Sequence, residues 1–505
     1  MTLPGGMLAI YIAGLVLFAL ALRVAPVVLS PRGAGIDHWF WKTYIETYRR
    51  EKQFPPSLPQ YVLDDHQWYP PLFPLLLARI PAGIFKRIDT LIAIAIDLIR
   101  MLMLLGVVYW RTQDLSVVAV AGLLYATTPI HIFYNVNLNP RGLAALMLDV
   151  ILLLLLQLLD PGAPWWIWLL IVVGSGLILL THKMTSQLFW FLVLGTALVY
   201  QNWLLLLLIP LSFVAALVLS GGFYRHVAQA HLDIVVFFTR NWRWAGSDLI
   251  RESPIYGDGT YERPRKLHPK GVRGKLGQLA RLVGFNPAAW IACLIVYDRL
   301  GVVDPVFIFP TIVLVWLLLM CLLAFLTTFV PWLKCIGAGY LYLYNATLIT
   351  SLLLSLTYKQ TYIPELSFLF TVGVILCNTV VLTMYYVEFY RNKNGRVHPG
   401  LEQMIERLRA LPRGVVMCVP ANWYEVVAYK SGQPVLWGGH GVWQRSLEPT
   451  WPRLLIPVKE VVRRYQVRYL LTMDGALPDN FVADLPPARV ESVDEYHLYC
   501  FETAG

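Results

Sequence analysis

The sequence predicts a polytopic α-helical membrane protein that ends in a small soluble α/β domain. Hydrophobic residues make up 57% of the 505 residues and charged residues only 14%, whereas about 25% of the residues of a soluble domain are charged. The mean hydropathy is +0.57. These values exclude an ordinary soluble enzyme and place most of the chain in the bilayer.

Apolar runs recur at the length of a membrane span, which is about 20 residues for a hydrocarbon core of about 30 Å. We predict about eleven spans from them. The first run closely follows the initiator Met. Its length and the absence of a small-residue cleavage pattern after Ser30 both favour a retained helix over a signal peptide. The runs are 7–30, 91–110, 115–133, 143–159, 165–180, 186–200, 203–220, 306–330, 338–356 and 366–386, with shorter candidates at 72–85 and 288–297.

Past Arg391 the apolar runs shorten to strand length, at 414–419, 434–437, 467–471 and 496–501, with amphipathic stretches at 401–411 and 458–465. This alternation predicts an α/β domain over 392–505. The membrane domain then covers 1–391, including a first loop over 31–70 and a long basic loop over 222–286. Cys418 and Cys500 fall on predicted strands, where their spacing leaves open whether they pair or stay thiols.

The net charge of +10 comes largely from the long basic loop, in which Arg263, Arg265, Lys266 and Lys270 stand close together. A basic segment at a membrane surface binds anionic lipid head groups. A solvated loop that tolerates charge is the alternative. Nucleic-acid binding is disfavoured because no nucleic-acid motif accompanies the charge.

The first loop carries three aspartates and two histidines at the edge of the membrane. Ionisable groups held against hydrocarbon are costly and therefore suggest a functional site. An ordinary solvated loop is the alternative, and an Asp before the next apolar run is also typical of a helix cap. The residues are Asp37, His38, Asp64, Asp65 and His66, and the nearby Trp39, Trp41, Trp68 and Tyr69 suit either sugar stacking or an interfacial aromatic belt.

Three segments in this order resemble a known family. The first has Asp37 after the first span and then Tyr69-Pro70-Pro71-Leu72-Phe73 at the start of the next apolar stretch. The second is Thr128-Pro129-Ile130-His131, with Arg141 following at a helix start. The third, residues 337–344, is similar to a Gly-x-Gly-x-Arg-Tyr-Leu-Glu run, but Leu341 and Tyr344 occupy the Arg and Glu positions.

With these segments the chain resembles the GT-C class of polyprenyl-phosphate-dependent membrane glycosyltransferases, in particular protein O-mannosyltransferases and aminoarabinose transferases. The resemblance implies an inverting transfer of sugar from a polyprenyl phosphate to a glycan, lipid or protein acceptor outside the cytoplasm. It also implies a plasma or inner membrane location with an extracytoplasmic C-terminal domain. The Trp-Trp-Asp signature of oligosaccharyltransferases is absent, which disfavours transfer of whole oligosaccharides to asparagine.

The chemistry of such a transfer assigns roles to the ionisable residues. A carboxylate is needed as general base, for which Asp37 is the first candidate and Asp65 the second. The leaving phosphate needs cations or hydrogen-bond donors. The predicted donor-phosphate residues are Arg141, His182 and Lys183; the predicted substrate-binding residues are His38, Asp64, His66 and Tyr69.

A divalent cation is a possible cofactor, held by Asp37, Asp65 and His66, because metal ligation needs three or more convergent ligands. Two other classes stay open at this stage. A transporter or lipid flippase would use intramembrane charges to line a pathway, although the chain shows no internal repeat. A non-catalytic scaffold would keep the fold and use the C-terminal domain to bind partners.

Overall fold

The computed structural model describes residues 5–29, 36–63, 67–158, 162–245, 271–299, 308–359, 364–392, 398–438, 444–452, 454–477 and 479–501. The chain divides into two compact units, which we call the helical unit and the mixed unit. The helical unit comprises Met1–Pro31, Lys86–Tyr224 and His268–Asn394, and the mixed unit comprises Arg32–Phe85, Arg225–Leu267 and Gly395–Gly505. The first loop thus groups with the C-terminal segment, whereas the division into 1–391 and 392–505 stays a sequence-based prediction.

Helices account for most of the described chain, and four strands occur near its C-terminal end. The helices are α1 Gly5–Leu29, α2 Ile36–Glu51, α3 Leu72–Ala78, α4 Ala82–Thr112, α5 Leu115–Thr127, α6 Pro129–Tyr134, α7 Arg141–Leu158, α8 Trp166–Leu179, α9 Lys183–Tyr200, α10 Leu208–Leu219, α11 Tyr224–Ala245, α12 Val272–Phe285, α13 Pro287–Arg299, α14 Ile308–Phe329, α15 Leu343–Lys359, α16 Pro364–Asn392, α17 Pro399–Ala410, α18 Tyr424–Ser431, α19 Val458–Arg464 and α20 Asp479–Ala483. The strands are β1 Val415–Val419, β2 Val467–Met473, β3 Ala488–Val493 and β4 Tyr496–Phe501.

Six helices of the described residues are long and apolar enough to cross a membrane. They contain Leu8–Val28, Ala82–Thr112, Arg141–Leu158, Thr311–Phe329, Gly339–Tyr358 and Leu369–Val387, and shorter apolar helices cover Leu115–Thr127, Trp166–Leu179 and Trp203–Leu219. A polytopic membrane fold is therefore confirmed, and the count of about eleven spans stays a prediction.

Two predicted apolar runs are divided in the structure. The run 115–133 breaks between α5 and α6, where Thr128 is extended at ψ 117° and Pro129 follows. Proline disfavours the helical conformation in the residue before it, which accounts for the break. The run 72–85 likewise breaks after Ala78, and α4 then begins at Ala82 and continues as one helix of 31 residues to Thr112.

The mixed unit contains a four-stranded sheet in the order β1-β2-β4-β3, in which β1 and β2 are parallel and the other pairs antiparallel. Strands were predicted at β1, β2 and β4 and also at 434–437, where the structure has only isolated bridges at Val435. Strand β3 was missed because its alternation is weak and its residues are exposed or half-buried. Cys418 on β1 and Cys500 on β4 are free thiols, with β2 between their strands. Burial raises the pKa of Cys418, which keeps that thiol protonated.

Candidate active site

The predicted general base Asp37 lies in the first turn of α2, within the segment that was predicted as a loop. Asp37 is half-buried, and its negative charge is favourable beside the partial positive charge of the helix start. His38 follows it and is 4% exposed, with its ring 5.2 Å from that of Trp39. The structure thus places two predicted site residues next to each other at one end of α2.

The aromatic side chains of α2 are core residues of the mixed unit. Trp41 is 1% exposed and packs edge-on against Tyr69 at 5.1 Å, and Tyr69 is itself 5% exposed. Burial and the neighbouring Tyr48 raise the pKa of Tyr44, so that this phenol stays neutral. The substrate role of Tyr69 stays a prediction, and in the structure its ring anchors the segment that precedes α3.

Helix α2 is fixed at its other faces by α18 and α3. Tyr429 of α18 donates a hydrogen bond of 2.7 Å to Glu46, and its ring lies 5.1 Å from Trp39. Arg49 donates to the carbonyl oxygens of Leu77 and Ala78 at 2.8 and 3.1 Å, at the end of α3. The helix that carries Asp37 is therefore held along its length by side chains of the same unit.

The segment after α2 joins the sheet as an irregular extra strand. Val435 donates its N–H to the carbonyl of Gln60 at 2.7 Å, and Val62 and Leu63 donate to Val435 and Leu436 at 3.0 and 2.9 Å. Residues 434–436 in turn pair with β1 through Val416. Three of the predicted site residues, Asp64, Asp65 and His66, lie outside the described residues, directly after this strand.

Of the three predicted cation ligands, Asp37 alone falls within the described residues, because Asp65 and His66 lie outside them. Among the residues that the structure describes, no group of three or more His, Cys, Asp or Glu side chains converges as metal ligands would. A divalent cation remains a sequence-based prediction, and the chemistry below uses no metal.

In the helical unit the third sequence motif packs against the second. The hydroxyl of Tyr344 donates to Asn135 at 2.8 Å, and its ring stacks on His131 at 4.2 Å. A Cβ at Gly142 would lie 3.3 Å from the Tyr344 hydroxyl, so this glycine lets the phenol approach the start of α7. Tyr344, which replaces an acidic residue of the family pattern, thus joins the second motif to α7.

The same motif lies against the start of α9, where His182 and Lys183 were predicted to meet the donor phosphate. Gly337 has φ +137°, and a Cβ there would lie 2.8 Å from the methyl group of Met184. Tyr342 donates to Gln187 at 2.9 Å. His182 is 6% exposed, and its Nδ1 accepts from the N–H of Thr185 as the cap of α9, at 3.4 Å.

Arg141 and Arg281 lie over adjoining aromatic rings of the helical unit. The guanidinium of Arg141 lies 4.9 Å from the ring of Tyr134, and that of Arg281 lies 5.3 Å from the ring of Tyr340. Phe285 stacks on Tyr340 at 4.9 Å and meets Tyr134 at 5.7 Å. We call these five residues the guanidinium–aromatic cluster, and it joins α6, α7, α12 and the third motif.

Arg141 keeps hydrogen-bonding capacity inside this cluster. It is 8% exposed, and its Nε is buried without a hydrogen-bond partner among the described residues. Its backbone N–H is bound by Asn139 at 3.1 Å, which fixes the first turn of α7. An unpaired buried guanidinium donor is unfavourable unless an acceptor meets it, and phosphate oxygens are such acceptors.

Four ionisable residues inside apolar helices were missed by the sequence analysis, although charged residues within apolar runs are themselves a signal. Arg23 of α1 forms an ion pair with Asp97 of α4, and Arg100 of α4 pairs with Asp149 of α7 at 2.6 Å; all four side chains are fully buried. His131 Nδ1 lies 2.5 Å from Asp97. The two pairs balance in charge and connect helices far apart in sequence, which is a structural role.

We expect Arg100→Met to lower the free energy of unfolding by about 3–5 kcal/mol, because Asp149 would be buried without its partner. Arg100→Met combined with Asp149→Leu should regain most of that loss, since a matched apolar pair commonly replaces a buried ion pair at little cost. Thermal unfolding in detergent measures both variants. An equal loss of stability in the single and double variants would contradict a paired role for Arg100 and Asp149.

Solved structures resemble this chain over almost its whole length. ArnT from Cupriavidus metallidurans bound to undecaprenyl phosphate superposes with a TM-score of 0.56 at 12% identity, over 99% of this chain and 99% of that chain. Archaeal oligosaccharyltransferase AglB from Archaeoglobus fulgidus, in complex with an inhibitory peptide and a dolichol-phosphate, gives 0.53 at 13% identity, over 92% and 69%. The chain has the GT-C fold. No protein-family model and no curated protein sequence matches it.

The sequence motifs indicated a resemblance to the GT-C class, and this resemblance is confirmed at the level of the fold. The oligosaccharyltransferase likeness is one of fold, and it covers less of that chain because the archaeal protein is longer. Within this GT-C fold, Asp37 and His38 belong to the mixed unit, whereas Arg141, His182 and Lys183 belong to the helical unit. Their roles stay predictions.

Proposed function

We propose that the protein is an integral membrane glycosyltransferase that moves a sugar from a polyprenyl phosphate to an extracytoplasmic acceptor with inversion. The guanidinium–aromatic cluster is the observation that carries this proposal. Two guanidiniums lie over adjoining rings, and the buried Nε of Arg141 has no hydrogen-bond partner within the described ranges. This arrangement suits a phosphate whose lipid chain enters an apolar surface. The GT-C fold supports the same class of donor, since the neighbours hold undecaprenyl phosphate and dolichol-phosphate.

In the proposed reaction Asp37 takes the proton from an acceptor hydroxyl or amine. The acceptor atom forms a bond to the anomeric carbon as the bond from that carbon to the phosphate oxygen breaks. The polyprenyl phosphate leaves with the electron pair, and Arg141 and Arg281 stabilise its negative charge. Lys183 and His182 add a further charge and a donor at the start of α9, and Asp65 is the alternative base.

The mixed unit is proposed to bind the sugar and the acceptor outside the cytoplasm. His38 and Tyr69 are its described candidates, with Asp64 and His66 beside them in sequence. The location in the plasma or inner membrane and the extracytoplasmic α/β domain are part of the same proposal. The buried charges Arg23, Asp97, Arg100 and Asp149 are paired among themselves, so they do not favour a transport pathway.

The donor class is tested by the retention of polyprenyl phosphate on purified protein, measured by native mass spectrometry beside the uncharged polyprenol. We expect saturable binding of the phosphate and weak binding of the alcohol, because the phosphate carries the charge that Arg141 and Arg281 meet. Equal retention of both lipids would show that the phosphate is not recognised and would contradict the proposal.

A further inference from the structure

Helix α12 has two opposite faces, and the described part of the chain covers only one of them. Leu282 and Phe285 are 0% and 7% exposed, and Phe285 and Arg281 both contact Tyr340 of the guanidinium–aromatic cluster. Val272, Leu276 and Leu279 are 75%, 59% and 40% exposed. At about 100° per residue these three side chains form one stripe on the outer face, roughly opposite to Phe285.

Basic residues stand on both sides of the exposed stripe. Arg273 and Lys275 are exposed, and their positions in the helical turn place one on each flank of Leu276. The helix contains no Asp or Glu. An apolar stripe flanked by two cations is complementary to a surface that has an apolar interior and anionic groups at its boundary.

The length of α12 decides how it meets a membrane. Its 14 residues span about 21 Å, which is shorter than a hydrocarbon core of about 30 Å. A helix of this length with a basic, amphipathic outer face lies along the interface, with its apolar side chains below the head groups. The same helix carries Arg281 and Phe285 on its inner face, so its outer face lies across the helix from the guanidinium–aromatic cluster.

We propose that α12 binds anionic phospholipid in the membrane interface. In this arrangement Arg273 and Lys275 contact the head-group phosphates, and Val272, Leu276 and Leu279 enter the acyl-chain region. The inference does not depend on glycosyl transfer, because it concerns the outer face of the helix and bulk phospholipid. Its outcome is therefore separate from that of the donor-binding experiment.

The test compares phosphatidylglycerol and phosphatidylcholine binding to purified protein in mixed micelles, measured by native mass spectrometry. We expect the parent to prefer phosphatidylglycerol and Arg273→Gln combined with Lys275→Gln to weaken that binding about thirtyfold, since each interfacial basic residue contributes about fivefold. Phosphatidylcholine binding should not change. The matched control is Arg409→Gln combined with Arg463→Gln, which removes two exposed charges elsewhere and should leave both affinities unchanged.

A second variant tests the apolar stripe. Leu276→Asn combined with Leu279→Asn should weaken the binding of both lipids and leave the preference for phosphatidylglycerol intact. The proposal fails if the parent binds both lipids equally, which would leave this face to a protein partner. It also fails if the control pair loses as much affinity as the Arg273 and Lys275 pair. Displacement of phosphatidylglycerol by excess inorganic phosphate would likewise overturn it, because the ligand would then be a free anion.

Discussion

Replacing Asp37 by Asn is expected to reduce sugar transfer by about a hundredfold or more, because a general base contributes about that much to the rate. The substitution keeps the size of the side chain in the first turn of α2 and removes only its ability to accept the proton. The rate of release of radiolabelled sugar from a polyprenyl-phosphate donor measures the effect. Binding of polyprenyl phosphate should be unchanged.

The matched control for Asp37→Asn is Glu51→Gln at the other end of the same helix. Glu51 contacts Arg50 at 3.0 Å and is exposed, so its neutral form should transfer sugar at the parent rate. If Asp37→Asn transfers sugar as fast as the parent, Asp37 is not the base. Asp65→Asn is then the next variant to measure.

Arg141→Gln is expected to lower kcat/KM for the donor by about a hundredfold to a thousandfold, the usual loss for one donor that stabilises developing negative charge. The physical reason is that the guanidinium of Arg141 is buried over the ring of Tyr134. Its Nε has no other hydrogen-bond partner among the described residues. Arg141→Lys should give an intermediate loss, since an ammonium keeps the charge but not the planar fork. Steady-state kinetics with varied donor measures both variants.

The control for Arg141→Gln is Arg111→Gln in the last turn of α4, an exposed arginine outside the guanidinium–aromatic cluster. It should leave kcat/KM at the parent value. Retention of both donor affinity and rate in Arg141→Gln would remove Arg141 from the phosphate site and leave Arg281 and Lys183 as the cations to test.

The membrane class and the broad positions of the apolar helices could be predicted from the sequence, because hydropathy is a local property of each run. The helix break at Thr128-Pro129 could also be predicted from the sequence, because proline disfavours the helical conformation of the residue before it. Helix α2 was not predicted within the first loop. Its buried face is made of aromatic residues such as Trp41 and Tyr44, which at a membrane edge equally suit an interfacial belt.

The side-chain pairings inside the helical unit could not be predicted in the same way, because they join residues far apart in the chain. The pairs Arg23–Asp97 and Arg100–Asp149 connect different helices, and no local pattern gives the partner of a buried charge. The third motif shows the same limit. Its missing charged positions placed its role in doubt, yet Tyr344 binds Asn135 through its hydroxyl, a contact that only the folded chain reveals.

Sugar transfer from a polyprenyl phosphate is measured most directly as turnover of a panel of polyprenyl-phosphate sugars by purified protein in detergent. We expect at least one donor to be consumed, polyprenyl phosphate to be released and the anomeric configuration of the product to be inverted. Binding of polyprenyl phosphate without consumption of any donor would contradict this expectation and would favour a transporter or a non-catalytic scaffold with the GT-C fold.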